Sequence, residues 1–373
     1  MKKVGIITFH ASHNYGSMLQ AYALQQVILD MGYDCEIINF RTLRQKKFYR
    51  PPFFRGRWIG MIRRFFLYWK VAIPLTKKYF LFESFLQNKY ILSEREYQTL
   101  GDLIKEDLKY DIYISGSDQI WNTICFDFDW AYFLPLVKEG KKIAYAPSMG
   151  PKLFVKDTEE NTLNIKKYVL SFDAVSVREQ GAADYLLTLC GIHAPIMLDP
   201  TLLLSSNYWE EMTNQAPLVK GEYIFLYTPW YEEQVFLKAE MLSNLLGIKV
   251  VVSQIYEKKE EHKWRKKHNF QYLLSVGPIE FLNLCKHAKW SIGLSFHLVV
   301  FSILLQTPFI AIDGMDDSRI QNLLTLTKLE SRSMPSSAVD LTPYLSHVDF
   351  KMANELITRK RQECLQWLKE NLI

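Results

Sequence analysis

Several short apolar runs in this chain end directly in side chains that can handle protons or anions. VGIIT (Val4–Thr8) is followed by His10, His13, Asn14, Tyr15, Gly16 and Ser17, and DIYISG by Ser117, Asp118 and Gln119. AVSV leads into Arg178 and Glu179, WSIGL into Ser295 and His297, and FIAID into Asp316, Asp317, Ser318 and Arg319. In open α/β sheets, ligands collect beyond the carboxyl ends of the strands. An imidazole there can give or take a proton near neutral pH, and a carboxylate can receive one from a hydroxyl. A guanidinium matches the geometry of a carboxylate or phosphate.

Each residue also has a plainer reading. His10 and His13 read as surface loop residues. Asp118 can cap the turn after its strand, and Arg178 can pair with Glu179 or Asp184 at the surface. Asp127 and Asp129 are two apart on an extended segment, a common surface pattern, so no metal is expected there. His297 follows Ser295, a good N-cap, and so falls in the first turn of a helix, where backbone N–H groups favour an anion. Its plainer reading is a core histidine satisfied by a carbonyl.

The elements that must position these groups alternate between strand and helix. VGIIT, a helix over Ser17–Met31 stopped by Gly32, and CEIINF (Cys35–Phe40) form β-α-β. The loop FHASHNYG between strand and helix presents backbone N–H groups as an anion site, without the GxGxxG of a dinucleotide fold. Strands follow in YDIYISGSDQIWN, KKIAYAPSMG and FDAVSVRE, then a helix to about Leu189, and IMLDPTLLL (Ile196–Leu204) closes this half. The second half repeats the alternation. YIFLYT is a strand, Glu232–Leu246 a helix and IKVVVS a strand; a helix from Pro278 to Ala288 precedes the strand WSIG, a helix from about Phe296 and the strand PFIAID. Asp349–Leu372 reads as an amphipathic helix. The expected organisation is an N-terminal Rossmann-like domain over 1–204, carrying a basic, aromatic insertion at 41–98, a C-terminal Rossmann-like domain over 205–348, and a terminal helix over 349–373. The fold class is α/β, with the two domains expected to face each other across a cleft.

Composition narrows the function. The 373 residues carry a formal charge of +5, and no nucleic-acid-binding motif is present. The five cysteines, Cys35, Cys125, Cys190, Cys285 and Cys364, are far apart and odd in number, which suits reduced thiols in the cytoplasm. The apolar start of MKKVGIITFHASHNYGS is too short for a signal peptide. Trp290–Ile312 lacks a formal charge over a length that could span a bilayer, but Gly293, Gln306 and Pro308 favour a buried strand–helix–strand unit. Residues 41–82 hold twelve Lys or Arg and no Asp or Glu, interleaved with aromatics as in RRFFLYWK. Two readings fit: peripheral contact with an anionic membrane, or a solvated insertion with packed aromatic stems.

NYGSMLQAYALQ, DIYISGSDQIWN, VSVREQ, LDPTLLL and LSFHLVVFSILLQTPFIAI, in that order, resemble the polysaccharide pyruvyl transferase family. The resemblance runs from residue 4 to about residue 330 and is weakest over the basic insertion. It implies a GT-B-type fold and transfer of a pyruvyl unit from phosphoenolpyruvate to a sugar, as a ketal, with release of phosphate. It implies no cofactor beyond phosphoenolpyruvate as co-substrate, and a saccharide acceptor, which can be lipid-linked; no metal-ligating residues are assigned. It places Arg178 and His297 at the donor site. Some relatives carry Arg where this chain has Ser295, and often Gly where it has Leu298; Arg319 is then the candidate for the missing cation. On this reading His297 and Asp118 are catalytic, and Arg178, Ser295 and Arg319 bind the donor. Asn14, Tyr15, Gly16, Ser17 and Ser117 form an acceptor or anion loop. The competing readings are a glycosyltransferase that uses a nucleotide sugar and a non-catalytic sugar-binding relative.

Overall fold

The computed structural model describes residues 1–51, 69–151, 158–213, 216–256 and 258–373. Arg55, Arg57, Arg63 and Arg64 of the basic insertion lie outside the described residues. The chain divides into two compact units. The first comprises Met1–Tyr49, Ser84–Leu204 and Thr358–Ile373, and the second Arg50–Glu83 and Ser205–Ile357.

In the first unit, β1 (Lys3–Ile7), α1 (Tyr15–Asp30) and β2 (Asp34–Ile37) form the opening β-α-β, followed by α2 (Leu43–Tyr49). The long helix α3 (Trp69–Lys89) starts in the second unit and ends in the first, where α4 (Leu100–Glu106) follows. Then come β3 (Ile112–Ser115), β4 (Lys141–Ala144), α5 (Glu159–Val169), β5 (Ala174–Val175) and α6 (Gln180–Cys190). The sheet order is β2-β1-β3-β4-β5, with every pairing parallel. The chain leaves β1 for β2 on one side and later returns to place β3 on the other, so the topological switch lies between β1 and β3. β1, β3 and β4 are buried apart from their first residues or wholly, as a sheet covered by helices on both faces requires.

The second unit repeats the plan. After α7 (Ser206–Met212) come β6 (Tyr223–Tyr227), α8 (Glu233–Leu246), β7 (Lys249–Val252), β8 (Phe270–Tyr272) and α9 (Pro278–His287). β9 (Trp290–Gly293), α10 (Phe296–Leu304), β10 (Phe309–Ile312), α11 (Ser318–Thr327) and β11 (Ser333–Met334) complete it. α12 (Phe350–Leu372) then passes from this unit into the first. The parallel sheet reads β11-β10-β9-β6-β7-β8, with its switch between β6 and β9. The uncharged run from Trp290 is therefore strand, helix and strand. α10 is buried along its whole length, and among the described residues no helix is long and apolar enough to cross a membrane.

The units depart from the sequence division in two places. Trp69–Glu83 groups with the second unit, where Ser275 donates to the Pro74 carbonyl (3.4 Å) and Lys78 to the Ser253 carbonyl (3.2 Å). The later part of α12 belongs to the first unit, where the Arg361 Nε donates to the Leu202 carbonyl (2.7 Å) and Cys364 accepts from the Leu198 N–H.

Candidate functional site

At the switch point of the first sheet, Gln20 of α1 ties β1 to β3. Its amide donates to Thr8 Oγ1 (2.9 Å), its carbonyl oxygen accepts from the Ser117 N–H (3.2 Å), and Thr8 Oγ1 donates to the Ser117 carbonyl (3.0 Å). Gly116, at φ +138°, makes this crossing possible: a Cβ there would lie 2.0 Å from the Tyr145 carbonyl oxygen. Ser117 itself is fully buried and donates to the Ala146 carbonyl (2.5 Å), so its hydroxyl braces the β3 and β4 loops.

The anion loop is already bonded. Asn14 caps α1, its Oδ1 accepting from the Gly16 and Ser17 N–H groups at 3.0 and 3.3 Å. The backbone donors expected to meet an anion are thus engaged by the cap. Tyr15 and Gly16 are buried beneath it. The Ser17 hydroxyl donates to Asp118 Oδ2 (2.5 Å), and a carboxylate faces the helix start. Asp118 sits in the left-handed region at φ +68°, with Oδ1 on the N–H of Gln119 (2.8 Å).

Arg178 is not a surface residue and does not pair with Asp184. It is 4% exposed, and its Nη1 donates to Asp199 Oδ2 (2.7 Å), with Asp118 at 3.8 Å and Glu179 at 4.0 Å. Asp199 is oriented in turn by the Thr201 N–H and hydroxyl, and Glu179 by the Met149 N–H and the Ser148 hydroxyl. One guanidinium therefore holds three buried carboxylates together. Asp199 was visible in the sequence only as part of LDPTLLL, where an Asp before Pro reads as the cap of the short turn it does cap.

His10 also departs from expectation. It is 1% exposed, with Nδ1 3.3 Å from the Thr8 carbonyl and Nε2 3.1 Å from Asn39 Oδ1. Burial is the main cause that pushes its imidazole down to about pKa 4. His13 is half-buried and stacks on Tyr49 (5.2 Å between centroids). Asp127 receives the hydroxyls of Ser12 (2.6 Å) and Tyr49 (2.5 Å), which joins three segments far apart in sequence; burial raises its carboxyl from the usual range. Among the described residues no cluster of His, Cys, Asp and Glu could hold a metal.

In the second unit Ser295 and His297 lie at the other switch point. Gly293 pairs with Tyr227 across β6 and β9, and a Cβ on it would lie 1.8 Å from the Tyr227 carbonyl oxygen. Ser295 caps α10, its hydroxyl accepting from the Leu298 N–H (3.4 Å). His297 is 8% exposed in the first turn, edge-on to Phe296. Arg319 opens α11 behind the neighbouring strand β10, but its guanidinium is bound to its own helix cap: Nε and Nη2 donate to Asp317 at 2.9 and 2.5 Å. Its charge is matched there by Asp317, as that of Arg178 is by its neighbouring carboxylates. Asn14, Ser17, Asp118 and Arg178 are thus gathered in one unit, and Ser295, His297 and Arg319 in the other.

Three solved structures share this architecture. AviGT4, a glycosyltransferase involved in avilamycin A biosynthesis, superimposes with a TM-score of 0.55 at 10% identity, covering 100% of this chain and 97% of its own. The UDP-GlcNAc 2-epimerase of Neisseria meningitidis gives 0.55 at 9% identity, covering 100% and 99%. The Methanocaldococcus jannaschii UDP-GlcNAc 2-epimerase gives 0.53 at 14% identity, covering 97% and 92%. At such identities the likeness is one of fold, and it defines a GT-B-type protein of two Rossmann-like domains. No curated protein matches the sequence. The family model for polysaccharide pyruvyl transferase matches residues 14–316, and the chain belongs to that family.

Proposed function

We propose that this protein transfers a pyruvyl group from phosphoenolpyruvate to two hydroxyls of a sugar in a cell-surface polysaccharide or its lipid-linked precursor. The observation that carries the reading is a buried imidazole, His297, in the first turn of a helix at a sheet's switch point, within a chain of this family.

The chemistry delivers two protons, one to the methylene carbon and one to the departing phosphate, and removes two from the sugar hydroxyls. Protonation of the methylene carbon of phosphoenolpyruvate leaves an oxocarbenium at the central carbon. A first sugar hydroxyl adds there and loses its proton. Phosphate departs with a proton, as hydrogen phosphate, and regenerates the cation; a second hydroxyl then closes the ketal, losing the second proton. His297 gives the first proton and, as neutral imidazole, takes one back. Ser295 and the start of α10 receive the phosphate, where helix-end donors favour an anion. Asp118 is the base toward the sugar, already accepting a hydroxyl from Ser17. Arg178 meets an anionic group of the donor, and Asp199 fixes the plane of its guanidinium for that contact.

Incubation with phosphoenolpyruvate and saccharide acceptors tests the reading. Phosphate release that depends on the acceptor, with a ketal in the product, is the expected result. Turnover of a nucleotide sugar with none of phosphoenolpyruvate would replace it with a glycosyltransferase.

A further inference from the structure

The exposed face of α3 carries an unusual set of side chains. Trp69, Ile73 and Phe80 are 51%, 53% and 61% exposed, and Lys70 and Lys77 are exposed beside them. At 100° per residue these five fall within one stripe about 100° wide, and Trp69 and Phe80 lie about 17 Å apart along the axis. The opposite face buries Ala72, Phe82, Phe85 and Leu86. The helix has thus met its packing needs on one side and still presents large apolar groups on the other. Further along, the exposed positions turn polar, with Ser84, Gln87 and Asn88. No acid stands in the stripe; Glu83 is half-buried at its edge. Lys70 leans over the Trp69 ring at 5.8 Å.

We infer that this stripe docks the protein on an anionic lipid surface. Tryptophan and phenylalanine suit the headgroup boundary, and lysines between them add attraction to anionic lipid. A second copy of the chain fits less well. A two-fold contact along this face would bury Lys70 and Lys77 with no acid in the stripe to match them. The proposal concerns this helix face alone and does not depend on the reaction assigned to the site.

The test is flotation of the full chain with vesicles of phosphatidylcholine alone and of phosphatidylcholine with phosphatidylglycerol. The parent is expected on the anionic vesicles only, and to be released as salt rises. K70Q/K77Q should partition roughly 30-fold less, from the usual worth of two lysines at such a surface. W69S/I73S/F80S should lose about tenfold or more. All five positions are exposed, so both variants should melt with the parent. Equal binding to neutral vesicles, no binding to either, or undiminished binding by both variants would overturn the assignment. So would a parent homodimer, seen by sedimentation equilibrium, that the apolar triple variant dissociates.

Discussion

Arg178→Ala removes the guanidinium that stands within 4.0 Å of the Asp118, Glu179 and Asp199 carboxylates, all four side chains being nearly or wholly buried. Deleting one partner of a buried ion pair costs about 3–5 kcal/mol, because the opposite charge stays behind without compensation. For a unit of 150–250 residues, each kcal/mol lowers the melting midpoint by about 2–4 °C, so a fall of about 6–20 °C is expected. Arg178→Lys is the informative companion. An ammonium can still reach Asp199, but a point charge cannot span the other two carboxylates as the planar fork does. Loss of one charge-assisted bond, about 1.5–3 kcal/mol, gives a fall of about 3–12 °C. If the guanidinium also grips the donor, KM for phosphoenolpyruvate should rise about tenfold or more at a temperature where the variant is fully folded. Thermal unfolding followed by near-ultraviolet circular dichroism reads the first effect, and steady-state kinetics the second. A Lys variant that melts like the parent refutes the ion-cage account, and one with the parent's donor KM refutes the donor contact.

Two buried groups should give stability opposite dependences on pH. His10 titrates near 4 when folded and near 6.5 when unfolded, so below about pH 6.5 the unfolded chain binds the extra proton and stability falls, by about 2 kcal/mol at pH 5. Glu261, raised to about 7 mainly by burial despite Arg265 and the Tyr256 N–H, contributes stability that is fully present below about pH 4.5 and is lost as pH rises through 7. Urea titrations of His10→Gln and Glu261→Gln at pH 5 and 7.5 should show the first slope vanish in one variant and the second in the other; unchanged slopes would contradict both. Gly293→Ala should destabilise the second unit by about 1–3 kcal/mol or more, since its Cβ would meet the rigid Tyr227 carbonyl; an unchanged melting midpoint would show that β6 and β9 can separate there.

Much of the frame was legible because strand runs are short and apolar and the helices between them end in recognisable signals. Gly32 and Ser295 mark a stop and a start in the sequence, and the residue runs after each strand pointed to the carboxyl edges where Asp118, Arg178 and His297 lie. α3 was not legible as a helix. Pro74 lies inside it, and its outward face also carries Trp69, Ile73 and Phe80, so the usual one-sided pattern is blurred. β8 and β11, three and two residues long, are too short for periodicity to register. The site partners were hidden for a different reason. Ser17 meets Asp118 and Ser12 meets Asp127 more than a hundred residues away, and Asp199 reaches Arg178 from another loop. Such pairs follow from strand order, which no local pattern records. His10 looked like a loop residue because it lies past the strand run and just before Ser12, His13 and Asn14, yet it lies in the core, flanked by the buried Phe9 and Ala11.

The most direct test of the proposed reaction is turnover of phosphoenolpyruvate by His297→Gln, measured as acceptor-dependent phosphate release beside a melting curve and a donor-binding isotherm. Glutamine keeps polarity and approximate size but cannot titrate. The variant should melt near the parent and still bind phosphoenolpyruvate through the start of α10, while turnover falls about 10²–10⁴-fold, the usual worth of general acid–base catalysis. A stably folded His297→Gln protein with the parent's turnover would contradict the mechanism.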